Sequence, residues 1–277
     1  MGAGVQAMSY KLLVVDIDGT LVGSDGSISA EDREALARVR QSRLAVSLST
    51  GRVPNACREV IKQLSLDGCH VFSDGALVSD PIDGREVYVQ PLNGIVVQRA
   101  VEFAHRNDIC LELYSATEYF IERETWASEI RRQFFGIRPT VVNLSGLWKQ
   151  ERIIKGGLTA ASPQEEAEAV RFSQDFDGRL HFSWAKTPAY PDIGFINILD
   201  PRVSKGRALK ALASYLGVSL SEVIAIGDGV NDIPLLSTAG LAVAMQDAPD
   251  EVKAVADYVT HDIKHSGLAA AVHRFLL

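Results

Sequence analysis

Short apolar runs alternate along the chain with longer stretches in which apolar residues recur every three or four positions. Leu12–Val15 is a continuous apolar run, the pattern of a strand buried on both faces. Ala45–Leu48, His70–Phe72 and residues 223–226 are similar short runs. Strands that alternate with helices predict a parallel sheet with right-handed crossovers.

The stretches between these runs predict helices. Ser29 is a suitable N-cap for a helix that buries Ala35, Leu36 and Val39. Further elements follow the same rhythm towards the C-terminus. The pattern predicts helices at residues 53–64, 204–216, 231–238 and 250–255, and strands at 241–244 and 258–259.

The middle of the chain has a different character, because it holds all three tryptophans and many of the other aromatic residues. We interpret residues 81–189 as an α/β domain inserted into a loop of a Rossmann-like core, which residues 1–80 and 190–277 form together. The core is thus an α/β fold with a parallel sheet. Within the insert, the pattern predicts strands at 88–90, 110–114, 119–122 and 180–184, and helices at 96–105 and 163–172.

Composition narrows the classes of function. The net charge of -7 over 277 residues provides no basic field for nucleic acid or anionic lipid. No stretch approaches the ~20 apolar residues of a membrane helix. Three cysteines without paired spacing indicate reduced thiols, and they are better explained as buried apolar residues than as nucleophiles. We therefore expect a cytoplasmic protein without nucleic-acid or membrane partners.

Two carboxylates follow the first strand. Asp16 and Asp18 are two residues apart, so an extended backbone would point both side chains the same way. Like charges that close are costly unless a cation or a shared proton relieves them, and Mg²⁺ prefers oxygen ligands. Taken alone, the pair is better explained as an Asp-Gly turn. A calcium loop is rejected, because Leu21 and Ser27 occupy the positions where it needs Gly and Glu.

A second acidic cluster follows the strand at 223–226. Asp228 and Asp232 come where that strand gives way to a helix. In open parallel sheets, ligands bind at the carboxyl ends of the strands, so both clusters face the same edge. Each residue alone is equally typical of a turn or of the first turn of a helix, and the coincidence of the two clusters favours a site.

Two further segments suit an anion. Thr50, Gly51 and Arg52 combine a hydroxyl, a glycine and a helix start, which can cradle a phosphate, although a simple helix cap fits too. Lys205 would be the first residue of its helix, where the helix dipole disfavours a cation. A neighbouring carboxylate or phosphate would compensate for it, whereas a solvated lysine is the simpler explanation.

Together these pieces resemble the haloacid dehalogenase superfamily, in its Cof-like sugar-phosphatase branch with a C2B-type cap. The resemblance spans essentially the whole chain and includes the position of the insert. Asp74 stands where that pattern usually has Asn, and Asn197 stands where a Glu often precedes the third motif. Neither departure falls on a catalytic position. The matching motifs are Asp16-Ile17-Asp18-Gly19-Thr20-Leu21, Ser49-Thr50-Gly51-Arg52, Ser204-Lys205-Gly206, Gly227-Asp228-Gly229-Val230-Asn231-Asp232 and the segment Phe72-Ser73-Asp74-Gly75-Ala76.

The resemblance implies a Mg²⁺-dependent phosphatase that hydrolyses the phosphate monoester of a small metabolite, such as a sugar phosphate. Asp16 would be the nucleophile and Asp18 the general acid and base. The metal set would comprise Asp16, Asp18 through its backbone carbonyl, Asp228, and Asp232, the last of them directly or through water. The phosphoryl group would be held by Thr50, Gly51, Arg52, Lys205 and Asn231.

Other functions remain compatible with these motifs. The fourth motif is also similar to that of cation-pumping ATPases, which need membrane helices. A phosphomutase would share the fold and the cap type, and a sensor would bind metal and phosphate without turnover. The insert is expected to act as a lid that sets specificity, with Trp184 or Tyr190 as candidates to stack on a sugar ring. The chain would act as a monomer or homodimer.

Overall fold

The computed structural model describes residues 10–187 and 189–277, without the side chains of residues 186 and 187. Fourteen strands lie in this described part. In chain order they are β1 Leu12–Val15, β2 Ala45–Leu48, β3 His70–Phe72, β4 Leu77–Ser79, β5 Glu86–Val89, β6 Glu112–Tyr114, β7 Tyr119–Ile121, β8 Thr140–Val141, β9 Lys155–Ala160, β10 His181–Thr187, β11 Tyr190–Leu199, β12 Val223–Gly227, β13 Leu241–Ala244 and β14 Tyr258–Val259.

Nine α-helices are formed by the described residues, together with short 3₁₀ turns. In chain order they are α1 Ala30–Gln41, α2 Arg58–Gln63, α3 Gly94–Arg106, α4 Trp126–Phe135, α5 Pro163–Asp175, α6 Lys205–Leu216, α7 Ile233–Leu236, α8 Asp250–Lys253 and α9 Gly267–Phe275. None of them is long and apolar enough to cross a membrane.

The core is a five-stranded parallel sheet in the order β14-β13-β12-β1-β2, as the sequence pattern predicts. The strand β1, which lies between β12 and β2, is fully buried, and its side chains alternate between two apolar layers. Leu13 and Val15 pack in the layer that contains α1 and α9, and Leu12 and Val14 pack in the layer that contains α6. A strand covered on both faces must be apolar throughout, which is why β1 shows no polar alternation.

The predicted third strand, β3, lies parallel to the end of β2 and also begins an antiparallel hairpin. It pairs antiparallel with β4, and a single parallel bridge from Ser49 to Val71 connects it to the end of β2. The cause is a reversal just after β3, where Ser73, Asp74 and Gly75 have φ values of 51°, 54° and 100°. Three consecutive residues in the left-handed region turn the chain back on itself, so β3 begins a hairpin.

The inserted segment forms a six-stranded sheet in the order β10-β11-β9-β6-β7-β8, and its own apolar cluster includes residues of α3 and α5. Two strands lie on the other side of the boundaries expected from the sequence. β5 pairs with β4 in the small three-stranded sheet, whereas β11 pairs with β9 and β10 in the six-stranded sheet. We therefore propose that the inserted domain begins near residue 90 and ends near residue 200. Residues 1–9 and Pro188 of the expected domains lie outside the described residues.

Candidate active site

The two aspartates that follow β1 bind different cations. Asp16 is buried, and the Lys205 ammonium donates to its Oδ1 at 2.6 Å. Asp18 accepts hydrogen bonds from Arg52 on both carboxylate oxygens, including one of 2.8 Å from Nε. Burial raises the pKa of Asp16 well above its ordinary value, Lys205 opposes that shift, and Asp232 and Asp228 add to it. Asp16 is thus paired with Lys205, and Asp18 is paired with Arg52.

The contacts of Lys205 explain why a cation lies at the first position of α6, where the helix dipole disfavours it. Ser204 caps the helix, and the side chain of Lys205 is fully buried between Asp16 and Asp232, at 2.6 Å from an oxygen of each. Burial would lower the pKa of this ammonium, but the neighbouring carboxylates Asp16 and Asp232 raise it above the ordinary value. Two carboxylates therefore compensate for both the helix dipole and the lost hydration.

Asp228 and Asp232 complete the floor of the site. Carboxylate oxygens of Asp16, Asp228 and Asp232 lie within 4.8 Å of one another. Burial, together with the charge of Asp232, raises the pKa of Asp228 to about 7. Thr20 donates to Asp228 Oδ1 at 2.8 Å. A Cβ added at Gly19, which has a φ of 94°, would lie 2.2 Å from Asp228 Oδ2, so only glycine fits here.

The donor set fits a hard cation such as Mg²⁺, since it is rich in oxygen and in uncompensated negative charge. Asp16 and Asp228 each have one carboxylate oxygen without a hydrogen bond in the described part of the chain. Asp232 has none, because Oδ1 accepts from Lys205 and Oδ2 accepts from the amides of Asp228 and Gly229. The side chain of Asp18 lies outside this cluster. The geometry favours Asp16 and Asp228 as direct ligands.

The Thr50–Gly51–Arg52 segment follows β2 and lies against the inserted domain. Thr50 is buried, and its Oγ1 accepts a hydrogen bond of 3.1 Å from the Arg52 amide. The Arg52 guanidinium lies 5.1 Å from the ring centroid of Phe135 and 5.5 Å from that of Phe134, both on α4. Arg52 therefore connects Asp18 to the inserted domain.

Asp74 and Asn197, the two departures from the family pattern, contact each other. Asn197 Nδ2 donates to Asp74 Oδ2 at 2.8 Å, and Asn231 Nδ2 donates to Asp74 Oδ1 at the same distance. Asp74 and Asn197 are both buried. Neither residue is one of the predicted catalytic residues, but Asp74 holds the side-chain amide of Asn231, a predicted phosphoryl ligand.

These groups open into a cavity of about 630 Å³ between the core and the inserted domain. The inserted domain contributes a largely aromatic wall that includes Tyr114, Phe135, Trp184 and Phe195. Trp184 lines the cavity and is half exposed, as a stacking role requires. Tyr190 instead packs against Phe134, with ring centroids 5.4 Å apart.

Three charged residues of the inserted domain were missed by sequence reasoning. Lys155 and Arg131 line the cavity, and Arg131 forms a buried ion pair of 2.8 Å with Glu112. Glu112 also accepts hydrogen bonds from the hydroxyls of Tyr114 and Tyr119. The available signals were the charge of Lys155 within the otherwise uncharged run Ile153-Ile154-Lys155-Gly156-Gly157 and that of Glu112 within the run Ile109-Cys110-Leu111-Glu112-Leu113-Tyr114.

Cysteine chemistry has no support at this site. Cys57 and Cys69 are buried, whereas Cys110 is exposed, so the expectation of buried cysteines holds for two of the three. Burial raises the pKa of the Cys57 thiol to about 12, which keeps it protonated and a poor nucleophile.

The chain is similar to known hydrolases over nearly its whole length. The family model of haloacid dehalogenase-like hydrolases matches residues 13–272. The chain is 27% identical to the 5-amino-6-(5-phospho-D-ribitylamino)uracil phosphatase YcsE of Bacillus subtilis, over 98% of this chain and 97% of that protein. It is 28% identical to the phosphoglycolate phosphatase of Methanopyrus kandleri, over 96% and 97% of the two chains.

Solved structures show the same fold. A haloacid dehalogenase-like hydrolase from Bacteroides thetaiotaomicron matches with a TM-score of 0.83 and 25% identity, over 96% of this chain and 99% of that one. A Thermotoga maritima protein also gives a TM-score of 0.83, at 23% identity, over 97% and 98% of the chains.

Proposed function

This chain belongs to the haloacid dehalogenase-like hydrolases and is a phosphatase of small metabolites, and we propose that it acts through an aspartyl-phosphate on Asp16. The observation that carries this proposal is the state of the Asp16 carboxylate. One oxygen is fixed by Lys205, and the other has no hydrogen bond in the described residues and belongs to a side chain that lines the cavity. The oxygen without a hydrogen bond suits in-line attack on phosphorus, and the oxygen held by Lys205 would be the one shared with the metal.

In the first step, Asp16 forms a bond to phosphorus while the bond from phosphorus to the ester oxygen breaks. Asp18 gives its proton to the departing oxygen, which leaves as the alcohol. In the second step, Asp18 takes a proton from water, the water attacks the phosphorus, and inorganic phosphate and free Asp16 are released. Lys205 neutralises charge at Asp16 throughout, because it remains buried against that carboxylate.

Arg52 has a defined part in this sequence. In the structure it donates to both oxygens of Asp18, an arrangement that suits the ionised carboxylate, which acts as the base in the second step. A protonated Asp18 would lose one of these bonds, so Arg52 must shift for the first step. Because Arg52 also packs against Phe134 and Phe135, movement of the inserted domain would adjust Asp18.

The phosphoryl oxygens would be bound by Thr50, the Gly51 amide, Lys205 and Asn231. All four residues line the same cavity as Asp16. Asp74 accepts hydrogen bonds only, so the Asn231 amide must direct its nitrogen towards Asp74, which fixes that side chain for binding. Phosphoryl transfer depends mainly on positioning and charge neutralisation, which this set supplies.

We propose Mg²⁺ as the cofactor, held by Asp16, the backbone carbonyl of Asp18 and Asp228, with Asp232 orienting Lys205 and the loop amides. The ion would neutralise the clustered carboxylates and the charge that develops on the phosphoryl group. The inserted domain would act as the lid, since it forms the wall opposite the catalytic aspartates. Sugar phosphates remain the proposed substrates, and the phosphomutase and the sensor are the alternatives.

Release of inorganic phosphate from 4-nitrophenyl phosphate with Mg²⁺ tests the proposal. Asp16→Asn should abolish both turnover and formation of an acid-stable phosphoenzyme. Asp18→Asn should slow both steps, by roughly 10²–10⁴-fold. Transfer of phosphate between two sugar positions without release would instead identify a mutase. Wild-type rates in Asp16→Asn would show that the nucleophile has been misassigned.

A further inference from the structure

Lys155 is a buried cation with an incomplete set of partners. It begins β9, is 5% exposed and lines the cavity. Its ammonium donates to the carbonyl oxygen of Gly51 at 2.9 Å, and this is its one hydrogen bond within residues 10–187 and 189–277. An ammonium carries three N–H donors, so two of them have no protein acceptor in the described part of the chain.

The acidic groups around Lys155 are already engaged with other donors. Glu112 accepts from Arg131, Tyr114 and Tyr119, and Asp74 accepts from two asparagine amides. Among the described residues, no carboxylate forms an ion pair with the Lys155 ammonium. Burial and the charge of Arg131 lower its pKa to about 8, despite the favourable charges of Asp74 and Glu112. The cation is therefore poorly compensated by the protein itself.

The position of Lys155 relates this cation to the substrate. It projects from the inserted domain and touches Gly51, one of the residues that would bind the phosphoryl group. Its ammonium also lies 5.4 Å from the ring centroid of Tyr114, and Asp74, the acidic cavity residue whose charge acts on Lys155, is already held by two asparagine amides. A group of the substrate located close to the phosphate ester would meet the unused donors.

We propose that Lys155 determines specificity by binding an anionic group, a carboxylate or a second phosphate, on the leaving portion of the substrate. The inference rests on the proposed phosphatase function, and it narrows the substrate class to phosphate esters with a second negative charge near the ester. Such an anion would complete the hydrogen bonds of Lys155 and neutralise its charge in a site of low dielectric.

The test uses two pairs of substrates that differ mainly at this group. They are phosphoglycolate against 2-hydroxyethyl phosphate, and 3-phosphoglycerate against glycerol 3-phosphate. The wild type should prefer the acidic member of at least one pair by tenfold or more in kcat/KM. Lys155→Met should lose at least tenfold on that member through a higher KM, and less than threefold on its neutral partner. Lys149→Met, a substitution at a lysine of the inserted domain that does not line the cavity, serves as the matched control.

Two outcomes would overturn the proposal. One is a wild type without preference in either pair, and the other is a Lys155→Met variant that loses equally on both members, which indicates a contact with Gly51 alone. If Lys155→Met does not fold, the same comparison of kcat/KM is made with Lys155→Gln, and the preference of the wild type for the acidic substrates still tests the proposal. Calorimetric binding of 3-phosphoglycerate and glycerol 3-phosphate to Asp16→Asn tests Lys155 without turnover. Failure of the phosphatase proposal would appear separately, as absence of phosphate release from every ester.

Discussion

Asp74 and Asn197 allow a sharp test of how the core and the inserted domain are joined. Asp74 accepts 2.8 Å hydrogen bonds from Asn197 and from Asn231, and the residue pair is at most 5% exposed. By the resemblance noted from the sequence, Asp74 stands where Asn is usual and Asn197 stands where Glu is often found, so this chain has the acid and the amide in the reverse places. A variant with the two residue types exchanged should therefore keep one acid hydrogen-bonded to one amide, as in the wild type.

The single change Asn197→Asp should be the most damaging. It would place two carboxylates in contact where an N–H···O bond of 2.8 Å now stands, and one of them must take up a proton or move. Hydrogen bonds to charged groups contribute about 1.5–3 kcal/mol each, so we expect a loss of about 2–3 kcal/mol in the free energy of unfolding. If Asp74 moves or takes up a proton, it no longer holds the side-chain amide of Asn231 in place, so KM for 4-nitrophenyl phosphate should also rise.

Asp74→Asn should be milder, since the new amide can still accept from Asn231 while Asn197 turns its own amide around. Its backbone also tolerates the change, because the φ of 54° at this position is acceptable for Asn as well as for Asp. The double variant Asp74→Asn/Asn197→Asp restores one acid opposite one amide. We expect it to recover to within ~1 kcal/mol of the wild type, which is a large coupling energy.

Urea unfolding and steady-state kinetics of the four proteins measure this coupling. Asp32→Asn is the matched control, because Asp32 is equally buried but accepts from the Ala269 amide and does not line the cavity. It should lower stability without raising KM. The reasoning is refuted if the double variant is no more stable and no more active than Asn197→Asp alone.

Three further predictions concern the metal, the glycine turn and a buried histidine. Exhaustive treatment with EDTA should abolish phosphate release and added Mg²⁺ should restore it; full activity after chelation would contradict the metal assignment. Gly19→Ala should reduce kcat by more than tenfold, because the added Cβ would collide with Asp228. Gly26→Ala is the control: Gly26 has a φ of 76° and no neighbour near an added Cβ, so the change should lower the free energy of unfolding by only about 1–2 kcal/mol. Burial lowers the pKa of His70 to about 4, from an ordinary 6.5, and its Nδ1 accepts from the Leu48 amide. The unfolded chain therefore binds this proton first as the pH falls, and the contribution of His70 to the free energy of unfolding should drop by ~3 kcal/mol between pH 6.5 and 4. Over this range the wild type should lose about that much more stability than His70→Gln, and the same amount as His273→Gln.

The parallel core was predictable because its signals are local. The run Leu12–Val15 is apolar at every position, and that alone indicates burial on both faces. Acidic and hydroxyl residues at the ends of such runs then fall on one edge of the sheet. The helix at residues 53–64 was less well predicted, since a 3₁₀ turn at Pro54–Cys57 precedes α2.

The inserted domain was harder to predict, because several of its elements carry no clear apolar signal and its polar contacts join distant residues. The strands predicted at 110–114 and 119–122 contain β6 and β7, whereas α4 and the glycine-containing strand β9 were not predicted. Glu112 and Arg131 are nineteen residues apart and meet only in the folded chain. The same holds for Asp74 and Asn197, which the sequence marks as separate exceptions and the structure brings together.

The long strand β11 restricts how the protein can be divided. It is hydrogen-bonded on one side to β10 and on the other to β9, and its last residue, Leu199, packs with the core. A truncated chain that removes residues 81–189 would therefore keep a ten-residue strand with two bare edges, which invites pairing between copies and precipitation. Joining the chain near Gln90 and Asp200 removes the whole six-stranded sheet, and it is the truncation to choose for expressing the core without its lid.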